Sequence, residues 1–344
     1  MSKKIFNCII LGDKQKKIFK NFDHYVSEKF PKDLPRIPKF QIVKNIEEFE
    51  KEYDGTDINA VGFVLQRKEQ VDLMKKIYDE QKKNLEIIHS FTVGVDKFLP
   101  KIKHFDLSNI IITNAKGSFS DILAEYVLYA ILYFAKNTPY FKQVQKEKKW
   151  VEHNIHPIKD ATVSIIGLGD VGTQVAKQCK LNGMNVIAVK RDPLQVTQEQ
   201  KELCNGNIYG NYQLDEVLEQ SDYVVSVLPA VQETNDIFNI QKFKKMKKKA
   251  VFINIGRGNC VVEEDLEIAL KEHIIRGACL DVFKKEPLPK ESGLWDLENI
   301  LLTSHSGNRT PDLFMQSQDA FMENLKLHLQ GKQMKNIVHL DRGY

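Results

Sequence analysis

Arg257 in NIGRG, Glu286 in LDVFKKEPLP and His305 in LLTSHSGN each stand just past a stretch that reads as a strand. Taken singly each has an ordinary explanation, because a loop Arg or a Glu before Pro is commonly solvated and a lone His is commonly a satisfied structural residue. Together they make up what carbonyl reduction requires. Hydride transfer to a ketone leaves negative charge on oxygen, so the site needs a proton donor and a fixed positive charge. His305 can protonate the oxygen, and Glu286 can orient and charge the imidazole. Arg257 can bind a carboxylate in a two-pronged grip while polarising the carbonyl. No Cys and His cluster with zinc spacing occurs, so this chemistry calls for no metal.

Such groups must be carried to one place, and the stretch that organises them is residues 161–172, ATVSIIGLGDVG. Val163, Ile165 and Ile166 mark a strand that runs straight into Gly167, Gly169 and Gly172, and a helical pattern follows at once. Gly167 can supply the turn, Gly169 leaves room for a pyrophosphate to approach the backbone, and Gly172 lets helix and strand pack closely. The next strand, 186–189, ends on Lys190-Arg191 where NAD-linked enzymes carry an acid for the ribose hydroxyl. That pair suits a 2′-phosphate and favours NADP, while Asp192 keeps NAD open and both cations could instead be plain loop residues. Strands at 223–228, 250–255, 274–282 and 300–303 follow, with Pro229 placed where an adenine could rest.

Upstream, residues 4–11 (KIFNCIIL) read as a buried strand, a helical stretch runs to about Phe30, and a loop with Pro31, Pro35 and Pro38 comes next. Residues 40–43, 60–65, 85–89 and 109–113 are further strands, with an amphipathic helix over 71–78. Alternating strands and helices imply parallel sheets. The loop 90–96 leaves the carboxyl end of a strand, where open α/β sheets bind ligands. Amides around Val93 and Gly94 can hold a carboxylate there, unless Gly94 serves an ordinary turn. Residues 121–135 form a helix apolar all round, expected to be buried at a domain or subunit interface, and 141–153 read as charged and irregular.

At 344 residues the chain exceeds what one core usually serves, so two domains are expected. A net charge of +4 does not argue for nucleic acid, and the lysine-rich stretch 242–249 reads as a solvated helix end. No apolar run reaches membrane-span length, so no membrane association is expected. Cys8, Cys179, Cys204, Cys260 and Cys279 lack C-x-x-C spacing and read as buried free thiols of a reducing compartment. The apolar stretch near the N-terminus is too short for a signal peptide, and a cytoplasmic location is expected.

The run of GLGDVG, Leu228-Pro229 followed by Thr234, FINIGRG at 252–258, LDVFKKEPLP at 280–289, Leu294-Trp295 and TSH at 303–305 resembles the D-isomer-specific 2-hydroxyacid dehydrogenase family. The resemblance covers nearly the whole chain, and its pattern is nearest to glyoxylate/hydroxypyruvate reductases. It implies an α/β fold of two domains: an inserted Rossmann NAD(P)-binding domain at 114–309, and a discontinuous flavodoxin-like substrate domain from 1–113 and 310–344. A cleft between them and a homodimer are further implications. By the same resemblance Arg257, Glu286 and His305 match the catalytic trio, and Asp281 matches the acid that contacts the nicotinamide carboxamide. Asp170, Val171, Pro229, Thr234 and Ile255 fall around the cofactor, and Val93 and Gly94 join Arg257 on the substrate carboxylate. Ser304 departs from the Pro that often precedes the catalytic His, and the regulatory domain of many phosphoglycerate dehydrogenases is not expected. The expected reaction is hydride transfer between NADPH, or NADH, and a small 2-keto acid, with glyoxylate and hydroxypyruvate leading. A dinucleotide-sensing co-repressor and a phosphoglycerate-type dehydrogenase are the alternatives. Residues near Phe91, Lys97 and His104 are expected to shape the substrate pocket.

Overall fold

A computed structural model of the chain describes residues 4–12, 22–63, 68–102, 104–311, 313–340 and 342. The chain divides into two compact units, Met1–Ser118 with Thr310–Tyr344, and Phe119–Arg309. The first division thus lies at 118/119 rather than 113/114. Hydrogen bonds from Lys116 N to Asn114 Oδ1, from Ser118 N to Ala115 O and from Ser118 Oγ to Gln316 O keep that segment in the first unit.

In the first unit the strands are β1 (Lys4–Leu11), β2 (Arg36–Val43), β3 (Ala60–Phe63), β4 (Ile87–Ser90) and β5 (Ile111–Asn114). They pair in parallel in the order β2-β1-β3-β4-β5, the flavodoxin-like arrangement. β1 is apolar almost throughout because both of its faces are covered. Ile9 and Leu11 pack with Val71, Met74 and Ile77 of helix Lys68–Gln81, whereas Phe6, Cys8 and Ile10 pack with Phe321, Met322 and Leu325 of helix Leu313–Leu329. β2 begins earlier than expected and includes Pro38, which lies opposite Phe6. It is the edge strand, where a residue without an N–H breaks no ladder on the open side.

The second unit holds β6 (Thr162–Ile166), β7 (Asn185–Val189), β8 (Ile208–Tyr209), β9 (Tyr223–Ser226), β10 (Val251–Asn254), β11 (Gly277–Leu280) and β12 (Ile300–Leu302). All pairs are parallel, in the order β12-β11-β10-β9-β6-β7-β8. The order reverses between β6 and β9, the switch point at which doubly wound sheets bind ligands beyond their strand carboxyl ends. Helix Ser120–Ala135 buries Ala124, Val127, Ile131 and Phe134 against Val163, Val175 and Cys179, but Tyr129 on another side is 49% exposed, so the helix is not covered all round within the unit. Part of the stretch expected to be irregular forms helix Thr138–Lys146, and β8 and helix Gln198–Leu203 lie where periodicity is too short to read. In the lysine stretch Lys242 pairs with Asp215, Lys245 with Glu219, and Lys247 and Lys249 with Asp222.

Candidate active site

β6 ends in a turn that only glycine can make. Gly167 has φ +108°, and a Cβ there would lie 2.9 Å from Val227 O. A Cβ on Gly172 would lie 2.2 Å from Gly167 O, so helix Asp170–Leu181 rests directly on the turn. Around Gly169 the space is open, with nothing within 4 Å of an added Cβ. Gly169 is also the N-cap, without a side-chain cap, so the first amides of the helix face a bare cradle that fits a pyrophosphate. Asp170 Oδ2 accepts the hydroxyl of Ser120, and Val171 is half-buried beside it.

At the carboxyl end of β7, Lys190 N donates to Tyr209 O and its Nζ lies 3.1 Å from Gln200 Oε1, while Arg191 is exposed. Asp192 is engaged locally, its Oδ1 accepting from Leu194 N. After β9 the carbonyl of Pro229 accepts the Thr234 hydroxyl at 2.6 Å. Ile255 is 6% exposed and its N–H donates to Ser226 O, which ties the end of β10 to β9.

Glu286 and His305, nineteen residues apart, meet: His305 Nδ1 lies 3.1 and 3.0 Å from the two Glu286 oxygens. A carboxylate only accepts, so Nδ1 carries the proton of this contact and Nε2 is the pole left for proton exchange with a substrate. Phe283 N–H donates to Glu286 Oε1 at 3.2 Å, fixing the acid from behind. His305 itself has φ +51°, and its N–H donates to Asp281 O at 2.8 Å, so a left-handed kink turns the ring out of the loop after β12. Arg257 follows β10 in an extended conformation, its Nη1 donating to Gly256 O at 2.8 Å and its carbonyl accepting from Asn254 Nδ2 at 3.0 Å. A Cβ on Gly258 would fall 1.9 Å from Phe283 C, which places the Arg257 turn against the Glu286 segment.

Asp281 is 2% exposed at the end of β11. Its Oδ1 accepts from Thr303 Oγ1 at 2.6 Å, Ser306 N at 2.8 Å and Gly307 N at 3.1 Å. Because Thr303 gives its proton to the carboxylate, the Tyr126 hydroxyl 2.6 Å away must be the donor to Thr303. Burial raises the Tyr126 phenol well above its ordinary range and pushes the Cys279 thiol up to about 12, so both stay protonated. The Cys279 thiol, 3.3 Å from the tyrosine oxygen, then begins a directed chain that ends on Asp281.

In the first unit the loop after β4 carries Val93 and Gly94. Their carbonyls accept from Asn114 Nδ2 at 2.8 Å and Thr92 Oγ1 at 3.1 Å. Phe91 itself is 0% exposed and packs edge-on against His89 and obliquely on Phe321 in the core. Lys97 is exposed, and the His104 ring lies edge-on against Phe105.

The family model described as D-isomer specific 2-hydroxyacid dehydrogenase, NAD binding domain, matches residues 128–307. The chain belongs to this family. Within it, the D-3-phosphoglycerate dehydrogenase of Methanocaldococcus jannaschii is 31% identical over 76% of this chain; the chain spans about half, 49%, of that relative's length. The glyoxylate reductase of Pyrococcus horikoshii is 30% identical over 79% of this chain and 84% of its own. The fold matches the crystal structure of a D-isomer specific 2-hydroxyacid dehydrogenase from Xanthobacter autotrophicus Py2 in complex with NADPH and MES, with a TM-score of 0.79, 23% identity and 98% and 99% of the two chains covered. The unit Phe119–Arg309 is thus a Rossmann NAD-binding domain, and the class is that of the NAD(P)-dependent 2-hydroxyacid dehydrogenases.

Sequence reasoning passed over Tyr126, Thr303 and Gln200. Thr303 lies inside a recognised motif but carries no charge to draw notice. Tyr126 belongs to a helix whose apolar run hides one polar tip. Gln200 sits in a polar stretch where the spacing from Thr197, T-x-x-Q, marks a helix start and not a site.

Proposed function

We propose that this dehydrogenase reduces a small 2-keto acid to the D-2-hydroxy acid with NADPH, glyoxylate or hydroxypyruvate being the substrate. The observation that carries the reading is the His305–Glu286 pair, 3.0 Å apart on the loops after β12 and β11. His305 Nε2 delivers the proton to the carbonyl oxygen in reduction and removes it from the hydroxyl in oxidation. Glu286 holds the ring and stabilises its cationic form. Arg257 binds the substrate carboxylate and polarises the carbonyl. The amides of Val93 and Gly94 are the substrate-binding groups of the unit Met1–Ser118 with Thr310–Tyr344, which is the substrate domain.

The dihydronicotinamide, when bound, supplies the hydride. Gly169, Asp170 and Val171 would hold the pyrophosphate by their backbone, Lys190 and Arg191 the 2′-phosphate and Pro229 the adenine, with Thr234 and Ile255 also lining the cofactor. Asp281 would accept from the carboxamide; its Oδ1 already takes Thr303 and Ser306, while the Gly307 N–H is shared between Oδ1 at 3.1 Å and Oδ2 at 3.0 Å. The glyoxylate reductase of Pyrococcus horikoshii, similar over most of both chains, supports the substrate class. The five buried free thiols support a reducing, cytoplasmic setting. A homodimer is supported by Tyr129, 49% exposed on an apolar helix, and by Trp150, 97% exposed.

The test is NADPH and NADH oxidation with glyoxylate, hydroxypyruvate, pyruvate and longer 2-keto acids, with His305→Ala as control. Turnover with NADPH is expected, falling by roughly 10² to 10⁴ in the variant. Reduction needs His305 protonated and oxidation needs it neutral, so the two directions should show opposite trends with pH. Tight NADPH binding without turnover on any acid would remove the small-acid assignment and return the sensing alternative.

A further inference from the structure

Gln200 is 7% exposed in helix Gln198–Leu203, which opens with a capping box at Thr197. Its Nε2 donates to Leu168 O at 3.2 Å and to Thr173 Oγ1 at 2.8 Å. Its Oε1 accepts from Lys190 Nζ at 3.1 Å and from Thr197 N at 3.2 Å. These partners settle which end of the amide is which, because the reverse orientation would set an NH₂ group against an ammonium and a carbonyl against a carbonyl. Leu168 belongs to the glycine turn, and Thr173 in turn donates to Gly169 O at 2.7 Å. One buried amide therefore spans the turn that faces the pyrophosphate and the cation at the end of β7.

We propose that Gln200 is a specificity-determining residue: it anchors the Lys190 ammonium at a fixed place relative to the glycine turn, where it meets the 2′-phosphate of NADP. The inference rests on the NADP reading above. Lysine has a long stem with high rotamer entropy, and a phosphate gains most from it when that freedom is already lost in the empty protein. The neutral side chain is part of the argument. A glutamate of the same length would also hold the amine but would cancel its charge and repel the phosphate.

The experiment is calorimetric binding of 2′,5′-ADP and 5′-AMP to the full-length protein, which needs no turnover. The wild type should prefer 2′,5′-ADP. Gln200→Leu should weaken 2′,5′-ADP about tenfold while 5′-AMP changes by less than about twofold, the scale of one charge-assisted hydrogen bond. Gln200→Met, close to glutamine in length and uncharged, should lose the same selectivity and guards against a Leu variant that fails to fold. An equal loss of both ligands would assign Gln200 to the turn alone and overturn the proposal. So would wild-type selectivity in both Gln200 variants while Lys190→Ala loses it. If Lys190→Ala keeps the wild-type preference, or the wild type has none, the NADP reading itself fails and the role of Gln200 falls with it.

Discussion

Glu286→Gln removes a charge while keeping a shape, and so isolates what the carboxylate does for His305. The glutamine oxygen can still accept from Nδ1 and from Phe283 N–H, so the tautomer that presents Nε2 survives. What disappears is the attraction for the imidazolium across 3.0 Å. At such a separation a unit pair is worth about 1.4 kcal/mol in bulk water and about 5.5 kcal/mol at an effective dielectric of 20. The side chains of His305 and Glu286 are 46% and 24% exposed, which places the pair toward the screened end. About 2 kcal/mol is therefore the expected loss, or about 30-fold in kcat. The loss is read in steady-state oxidation of the D-2-hydroxy acid with NADP, the direction in which the imidazolium forms in the transition state, and KM for the hydroxy acid should stay within about threefold, because the substrate carboxylate is held elsewhere. Glu286→Ala, which also lets the ring turn, should fall further, toward the roughly 10² to 10⁴ of losing the acid itself. A Gln variant with wild-type kcat beside an inactive His305→Ala would refute the electrostatic role of Glu286.

The glycine turn makes a paired prediction: Gly169→Ala should leave the thermal midpoint nearly unchanged yet weaken dinucleotide binding, whereas Gly172→Ala, whose Cβ would lie 2.2 Å from Gly167 O, should destabilise the fold itself. Thermal unfolding and NADPH titration of both variants check it, and equal behaviour in the two would sink the distinction. A pH effect follows from Glu86, where burial works to raise the carboxyl but hydrogen bonds and charge from His328 and Arg36 hold it at about 2. A depressed carboxyl stabilises fully above its unfolded value and loses that contribution as pH falls toward the folded one. With the Glu86 side chain 30% exposed, the wild type should exceed Glu86→Gln by about 1–2 kcal/mol at neutral pH in urea melts, and the gap should close between about pH 5 and about pH 2. A gap constant over that range would contradict the linkage.

The strand, turn and helix around Gly167 were legible because three levels agree there: β-prone apolar residues, glycines at the positions where backbone conflicts arise, and a helical period after them. The strand ends were legible for a related reason, since buried parallel strands are short apolar runs that stop at their polar loops. Pro38 misled because proline marks a loop unless its strand is an edge, and edge position is a property of the whole sheet. In helix Ser120–Ala135 composition counts apolar residues without saying what covers each: Ala124, Val127, Ile131 and Phe134 are covered within the unit, and Tyr129 is not. Gln200 was out of reach: its partners are Leu168, Thr173, Lys190 and Thr197, and only the closed fold brings the first three to it.

The ionisable groups of the second unit ride on loops that lean on one another by backbone. Gly256 is tight against Leu228, where a Cβ would lie 2.6 Å from its N and O, and Gly258 is tight against Phe283. Gly167 is likewise packed on Val227. Loops that meet through side chains can adjust by changing rotamers, but loops that meet backbone to backbone move together or not at all. The position of Arg257 is thereby coupled to that of Glu286 through Gly258 and Phe283, and Glu286 to His305 through their shared hydrogen bonds. Asp281 closes the set, because its carbonyl takes the N–H of His305 while its side chain takes those of Ser306 and Gly307. Chemistry that needs a proton donor, an orienting acid and a cation in register is built here from separate strand ends, and the glycines between them are what hold the register.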